Sequence, residues 1–112
     1  MTNIPKRDIM GLYMRIISRK TLINFWEQPE YRDAEQPLKA WFAEAKHADW
    51  KTSSDIKEKY RNASFLGNNH VVFNIAGNKY RLVVKLQYNT CTVYIRFIGT
   101  HAQYNKIDAE NI

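Results

Sequence analysis

The sequence has a single cysteine, Cys91, in 112 residues. One thiol excludes an internal disulfide and a thiolate zinc cage, and its β-rich surroundings predict a small buried side chain in a strand. Three histidines, His47, His70 and His101, share no metal-ligand spacing with each other or with a carboxylate. Metal and cofactor chemistry therefore has no motif here. The four glycines, Gly11, Gly67, Gly77 and Gly99, stand isolated, so the phosphate-cradling loop of nucleotide-triphosphate enzymes is missing. No apolar run approaches the roughly 18 residues of a membrane span. The opening MTNIPKRDIMGLY lacks the apolar stretch of a secretory signal, and a cytoplasmic chain is expected. Without linkers, repeats or low-complexity tracts, the chain reads as one domain, in the usual range of roughly 100 to 200 residues.

Acid is scarce where it would matter most. The net charge is +6, and residues 51–106 carry nine basic residues against two acidic ones. Residues 27–50 carry three basic and six acidic residues, so the basic excess lies in the C-terminal half. A basic half on a small domain points to an anionic partner, and nucleic acid is the commonest.

What is present divides into helices and then strands. Tyr13 to Ile17 reads as a short strand, with Ser18 as the cap of a helix carrying Leu22, Phe25 and Trp26, stopped by Gln28-Pro29. Pro37 fits only a first turn, so a second helix starts near Ala34 to Gln36; its stripe is Leu38, Trp41, Phe42, Ala45 and Ala48, and it ends about Asp49. Asp55 to Glu58 resembles a capping box for one turn bearing Lys57, Lys59 and Arg61. From His70 onward, VVFNIA, KYRLVVKLQY and CTVYIRFI are rich in β-branched and aromatic residues, separated by Gly77-Asn78 and Asn89-Thr90. These predict two tight hairpins, and Thr100 can cap a closing turn. The fold class is α+β.

Two-residue turns fix the register. Val71, Phe73, Ile75, Tyr80, Leu82, Val84, Leu86, Val93, Ile95 and Phe97 then share an apolar face that should pack on the helices. The other face collects Asn74, Arg81, Lys85, Tyr94 and Arg96 around Val72, Val83 and Ile98. The three strands contain no Asp or Glu. A surface serving solubility alone intersperses acids among such cations. Arginine forks bind phosphate and tyrosine rings stack on bases, so the face suits single-stranded RNA. His101 stands just beyond the last strand, with Tyr104 three residues on, and a histidine there can move protons near neutrality. His47 and His70 lack such company and read as structural or surface residues.

The blocks MRIISRKTL, LKAWFAEAKHADW, VVFNIAGNKYRLVVKLQY and YIRFIGTHAQYNKIDAENI together resemble the HigB toxins of the RelE-like superfamily. The resemblance runs from about Met14 to Ile112, leaving 1–13 as an N-terminal extension of unknown role. It implies a small α+β domain, with an N-terminal strand and two helices on one face of a mainly antiparallel sheet and a short C-terminal helical turn. It implies a toxin of a type II toxin-antitoxin pair, a ribosome-dependent mRNA endonuclease (mRNA interferase) that needs no metal, inhibits translation and is neutralised by a HigA-like helix-turn-helix antitoxin. It also implies roles: Arg81 on the scissile phosphate with Arg96 beside it in charge stabilisation, His101 as general acid, Tyr104 orienting or stacking on a base. Lys57, Lys59, Arg61, Asn74, Lys79, Lys85 and Tyr94 would bind RNA. Members often have lysines on the strand before the first hairpin, where this chain has Val72 and Asn74. The general base is therefore open among Lys57, Lys59, Arg61 and Tyr94. A noncatalytic RNA-binding module with the same basic face is the alternative reading, and only the enzyme would need His101.

Overall fold

The structure, a computed structural model, describes residues 14–112; Tyr13 and the rest of the N-terminal extension lie outside the described residues. Strand β1 (Arg15–Ile17) leads into α1 (Arg19–Trp26), a 3₁₀ helix (Pro29–Ala34) and α2 (Glu35–Lys46). Then come α3 (Ser53–Lys59), β2 (Ser64–Phe65), β3 (His70–Ile75), β4 (Tyr80–Gln87), β5 (Thr92–Thr100) and α4 (His101–Tyr104). The five strands form one mixed sheet in the order β1-β5-β4-β3-β2. β1 runs parallel to β5, and the other pairs are antiparallel.

Local chemistry explains the helix ends, three times against expectation. Ser18 occupies the N-cap of α1 with left-handed backbone (φ 77), and its hydroxyl makes no capping bond. Serine caps from extended backbone; here its carbonyl does the work, accepting from the Thr21 amide at 2.9 Å. The capping box of α3 is Thr52 with Asp55 rather than Asp55 with Glu58. Asp55 Oδ2 accepts from the Lys51 and Thr52 amides at 2.9 and 3.2 Å. α2 ends at Lys46 with His47 as its C-cap, short of Asp49.

The helices bury Leu22, Phe25 and Trp26 from α1 and Leu38, Trp41 and Ala45 from α2. Opposite them lie Val71, Phe73, Ile75, Tyr80, Leu82, Val84, Leu86, Val93 and Ile95. Phe73 is ringed by Trp41, Trp50 and Tyr60 at centroid distances of 5.4, 6.1 and 5.0 Å. Edge-to-face and offset contacts at such distances favour aromatic pairs beyond the area they bury.

The first hairpin keeps the expected register, with Phe73 opposite Leu82, Asn74 opposite Arg81 and Ile75 opposite Tyr80. Ala76 and Gly77 turn it with positive φ (56 and 69). The second hairpin departs from expectation. Its turn is a 3₁₀ helix, Tyr88–Thr90, ended by a left-handed Cys91 (φ 52). Cys91 is partly buried and lies before the strand, not within it. Leu86 faces Val93 and Val84 faces Ile95 as expected, but a bulge between Val83 and Val84 then sets Phe97 opposite Val83 and Ile98 opposite Leu82. The extra residue is Arg96, and an extra residue flips every side chain beyond it. Ile98 therefore joins the helix-facing core, and Phe97 leaves it for the other side.

That outer side is not bare. Val72 and Val83, 3% and 0% exposed, are covered by Leu66, Phe97, Tyr104, Ile107 and Ala109. The segment after α4 crosses the sheet as a strap. The Gly67 amide donates to Glu110 Oε2 at 3.2 Å and Asn68 Nδ2 to the Glu110 carbonyl at 3.1 Å. The buried His70 ring lies 2.9 Å from the oxygens of both Asn68 and Ile112, so its role is structural. Because the bulge places Ile98 in the main core, Ile98→Ala should cost about 2–5 kcal/mol in urea unfolding, with a smaller loss for the partly exposed Phe97→Ala. Equal or reversed costs would contradict this register.

Candidate active site

Three groups of polar side chains occupy the outer face and its edge. The first lies at the end of the sheet where β3 turns into β4. Asn74, Arg81 and Gly99 stand in one row across three strands, and His101 follows two residues after Gly99. Asn74 and Arg81 form a pair without mutual main-chain bonds, because the main chain of odd-numbered residues such as Asn69 bonds toward β4 (Leu86 amide to Asn69 carbonyl, 2.9 Å). Such pairs bring Cα atoms to about 4.5 Å and side chains close together. Arg81 is half-buried. Its Nη1 donates to the carbonyls of Asn78 (3.1 Å) and Tyr80 (3.4 Å), which holds the guanidinium beside the turn and leaves its other donors without a partner among the described residues.

Gly99 and Thr100 set the position of His101. A Cβ on Gly99 would lie 2.6 Å from both Phe97 Cζ and Gln103 Oε1, so a larger residue there would displace the Phe97 ring and the Gln103 side chain. Thr100 Oγ1 then accepts from the Gln103 amide at 3.1 Å while Gln103 Oε1 accepts from the Thr100 amide at 2.8 Å. This capping box starts α4 and leaves His101 exposed as its first residue. Tyr104 is partly buried in the cluster around Val72 and Val83.

The hairpin is anchored from behind. Asp33 accepts from both Lys79 Nζ and the Tyr80 hydroxyl, and Tyr80 packs edge-on against Phe25 at 5.3 Å. The two hydrogen bonds, first that from Lys79 and then that from Tyr80, hold the Asp33 carboxyl below its ordinary range. The same bond raises Lys79, while burial and then Asp33 raise Tyr80. Lys79 is thus shared with a carboxylate.

Lys85, Tyr94 and Arg96 form the second group. Lys85 and Tyr94 pair across β4 and β5, and the Arg96 guanidinium lies 5.4 Å over the Tyr94 ring. Lys85 is four residues from Arg81, about 13 Å along a strand. Phe97 and the strap lie between, so Arg96 does not join Arg81. Exposed Arg15, in register with Thr92, extends this group.

The third group flanks the outer edge of β3. Lys57 Nζ donates to the Ala63 carbonyl at 2.8 Å and lies 5.8 Å over the Phe65 ring. Lys59 pairs with Glu44 at 3.3 Å. Glu44 also accepts from the Tyr60 hydroxyl, and burial, reinforced by Glu44, pushes that phenol far up. Arg61 is exposed. Lys59, Tyr60, Arg61, Asn62, Ala63, Phe73, Asn74 and Gly77 enclose a pocket of about 290 Å³, so Asn74 belongs both to this pocket and to the row with Arg81. Sequence reasoning did not find Asn62 or Asp33, because an isolated Asn or Asp in a loop gives no periodic signal. Among the described residues, no group of three His, Cys, Asp or Glu could hold a metal ion. No described helix is long and apolar enough to cross a membrane.

A mixed five-stranded sheet with helices on one face, and a loose set of cations with a histidine at one end of the other, defines a small RelE-like α+β domain. A family model described as HigB toxin, the RelE-like toxic component of a toxin-antitoxin system, matches residues 34–107. The chain belongs to that family and is the toxin of such a system. No curated protein matches it.

The anchored hairpin carries a pH signature. A carboxyl lowered in the folded state contributes stability above its ordinary value, near pH 4, and that contribution is lost as pH falls through the lowered one. Wild type should therefore lose more stability than Asp33→Asn on acidification from pH 5 to about pH 3, as read by thermal unfolding. Parallel losses would remove Asp33 from the account.

Proposed function

We propose that this toxin is a ribosome-dependent mRNA endonuclease that cuts without a metal and so inhibits translation in the cytoplasm. The observation that carries the reading is the placing of Asn74, Arg81 and His101 at one end of a sheet whose three long strands contain no Asp or Glu, in a RelE-like toxin. In the proposed reaction the ribose O2′ gives up its proton to solvent water and attacks its own 3′-phosphate, so that a new O2′–P bond forms and the P–O5′ bond breaks. Arg81 grips the phosphate as charge grows on its oxygens, and His101, exposed beside it, gives a proton to the leaving O5′. Asn74 donates to a phosphate or sugar oxygen. Tyr104, on the helix that begins at His101, orients the neighbouring nucleotide.

The other two groups serve binding in this reading. Lys85, Tyr94 and Arg96 hold the strand beyond the strap, while Lys57, Lys59, Arg61 and Lys79 surround the hairpin edge. Engagement with the Ala63 carbonyl and with Glu44 leaves Lys57 and Lys59 poorly suited as general base. The partners are mRNA on the ribosome and a HigA-like helix-turn-helix antitoxin that covers the basic face or blocks ribosome entry.

Arg81→Ala should lower single-turnover cleavage on programmed ribosomes about 10²- to 10³-fold, and His101→Ala about 10²- to 10⁴-fold, with ribosome binding retained in the latter. Products should end in 2′,3′-cyclic phosphate or its opened 3′-phosphate, and chelators should spare cleavage while the ribosome stays intact. Binding without new mRNA ends in the wild type would favour the noncatalytic module instead. In cells, expression without antitoxin should arrest growth with loss of full-length mRNA, and mapping of 5′ ends would check it.

A further inference from the structure

The outer edge of β3 changes character halfway along. At its start the edge is paired: the Leu66 amide donates to the His70 carbonyl at 2.8 Å, and Ser64 stands opposite Val72. Main-chain direction alternates along a strand, so Asn74 turns its N–H and C=O the same way as His70 and Val72, toward this edge. The next partner in register would be Asn62. The ladder stops short of it, because Asn62 stands inside a turn that the Ala63 amide closes on the Tyr60 carbonyl at 3.1 Å. The chain peels away, no hydrogen bond joins Asn62 to Asn74, and the gap left between them is the pocket of about 290 Å³.

A strand edge with a donor and an acceptor side by side is a template for any planar group that carries an acceptor beside a donor. The Watson–Crick edges of nucleobases have that arrangement. Main-chain groups left unpaired at a strand edge are a ready template for such a partner, and the amides of Asn62 and Asn74 add further donors and acceptors on the rim. Lys59 and Arg61 stand at the mouth to take the sugar-phosphate. The volume is at the small end of ligand pockets and suits one base. Because Asn74 also stands opposite Arg81, a base held here belongs to a nucleotide next to the phosphate that Arg81 would grip.

We propose that the gap between Asn62 and the edge of β3 at Asn74 is a nucleobase-binding pocket, bonding the base edge-on through the Asn74 main chain. This rests on the endonuclease reading for its biological ligand, but the pocket can be tested without cleavage. The four nucleoside 5′-monophosphates are titrated into the ¹⁵N-labelled wild-type chain, with ribose 5-phosphate as the comparison. The expected result is saturable movement of the Asn74 and Asn62 amide signals with at least one nucleotide, at concentrations up to roughly 10 mM, which covers dissociation constants of about 1 mM. Ribose 5-phosphate should move Arg61 and Lys59 alone.

Asn62→Leu, a change in an exposed turn that fills the gap, should weaken nucleotide binding at least about fivefold, the lower end of what a bidentate base contact contributes. The remaining spectrum of that variant should match wild type. Equal movement of Asn74 by ribose 5-phosphate would show an anion site only. That result, no movement at all, or undiminished binding in Asn62→Leu overturns the proposal. Ribosome cleavage by the wild type, measured in parallel, decides the endonuclease reading independently: a chain that binds nucleotides here and never cuts would fail that reading and leave the pocket standing.

Discussion

A sheet covered by helices on one side must still reconcile its other side with water, and here the centre of that side is apolar. Val72, Val83 and Phe97 form a row across three strands, and Phe97 is in that row only because Arg96 adds one residue to β5. The bulge thus does two things at once. It turns Ile98 inward to complete the core and turns Phe97 outward to enlarge a strip that needs cover. The strap of Ile107 and Ala109 supplies the cover, and the bonds from Gly67, Asn68 and His70 hold it. The polar groups are placed around this strip, so their partition into separate clusters follows from the apolar row.

That partition shapes how an RNA chain would meet the protein. A flexible polyanion is gripped by distributed cations and positioned by a few directed contacts. Lys85, Arg96 and Arg15 are exposed or half-exposed and form no ion pair with a carboxylate among the described residues, which suits gripping. Arg81 is different: two carbonyls of its own hairpin fix it, Asp33 anchors that hairpin through Lys79 and Tyr80, and the aromatic rings of Phe25 and Tyr31 brace Tyr80 in turn. A cation held this way loses less freedom on meeting a phosphate, and preorganisation is what separates a catalytic contact from a binding one.

Much of the fold was legible because strand alternation and helical spacing are local signals. Trp41 and Leu38 on one helix stripe, and Phe73 opposite Leu82 across a Gly77-Asn78 turn, needed only periodicity and turn chemistry. The bulge was not legible: TVYIRFIGT alternates as well with one face inward as with the other, and the choice is made by contacts with Leu82 and the strap, far away in sequence. The strap itself was hidden for the same reason, since NKIDAENI carries only three apolar side chains, Ile107, Ala109 and Ile112, and no helical or strand period. At the site, the pairing of Asn74 with Arg81 and the place of His101 followed from hairpin register. The separation of Arg96 from Arg81 did not, because it depends on the bulge. The pocket beside Asn62 depends on where a two-residue strand ends, which no propensity specifies.

The strap's contacts also bear on the order in which the molecule assembles. Its bonds to Gly67, Asn68 and His70 join residues 42 or 43 positions apart, and closing so long a loop is favourable only once the sheet it lands on exists. The hairpins therefore form first, and for that interval Val72, Val83 and Phe97 are open to other chains in the same condition. The cations around them then act as gatekeepers. Arg81, Lys85 and Arg96, with no acid on the same strands to neutralise them, make two half-folded copies repel each other face to face, so the charges that suit an RNA ligand in the finished protein also guard it against aggregation while it folds.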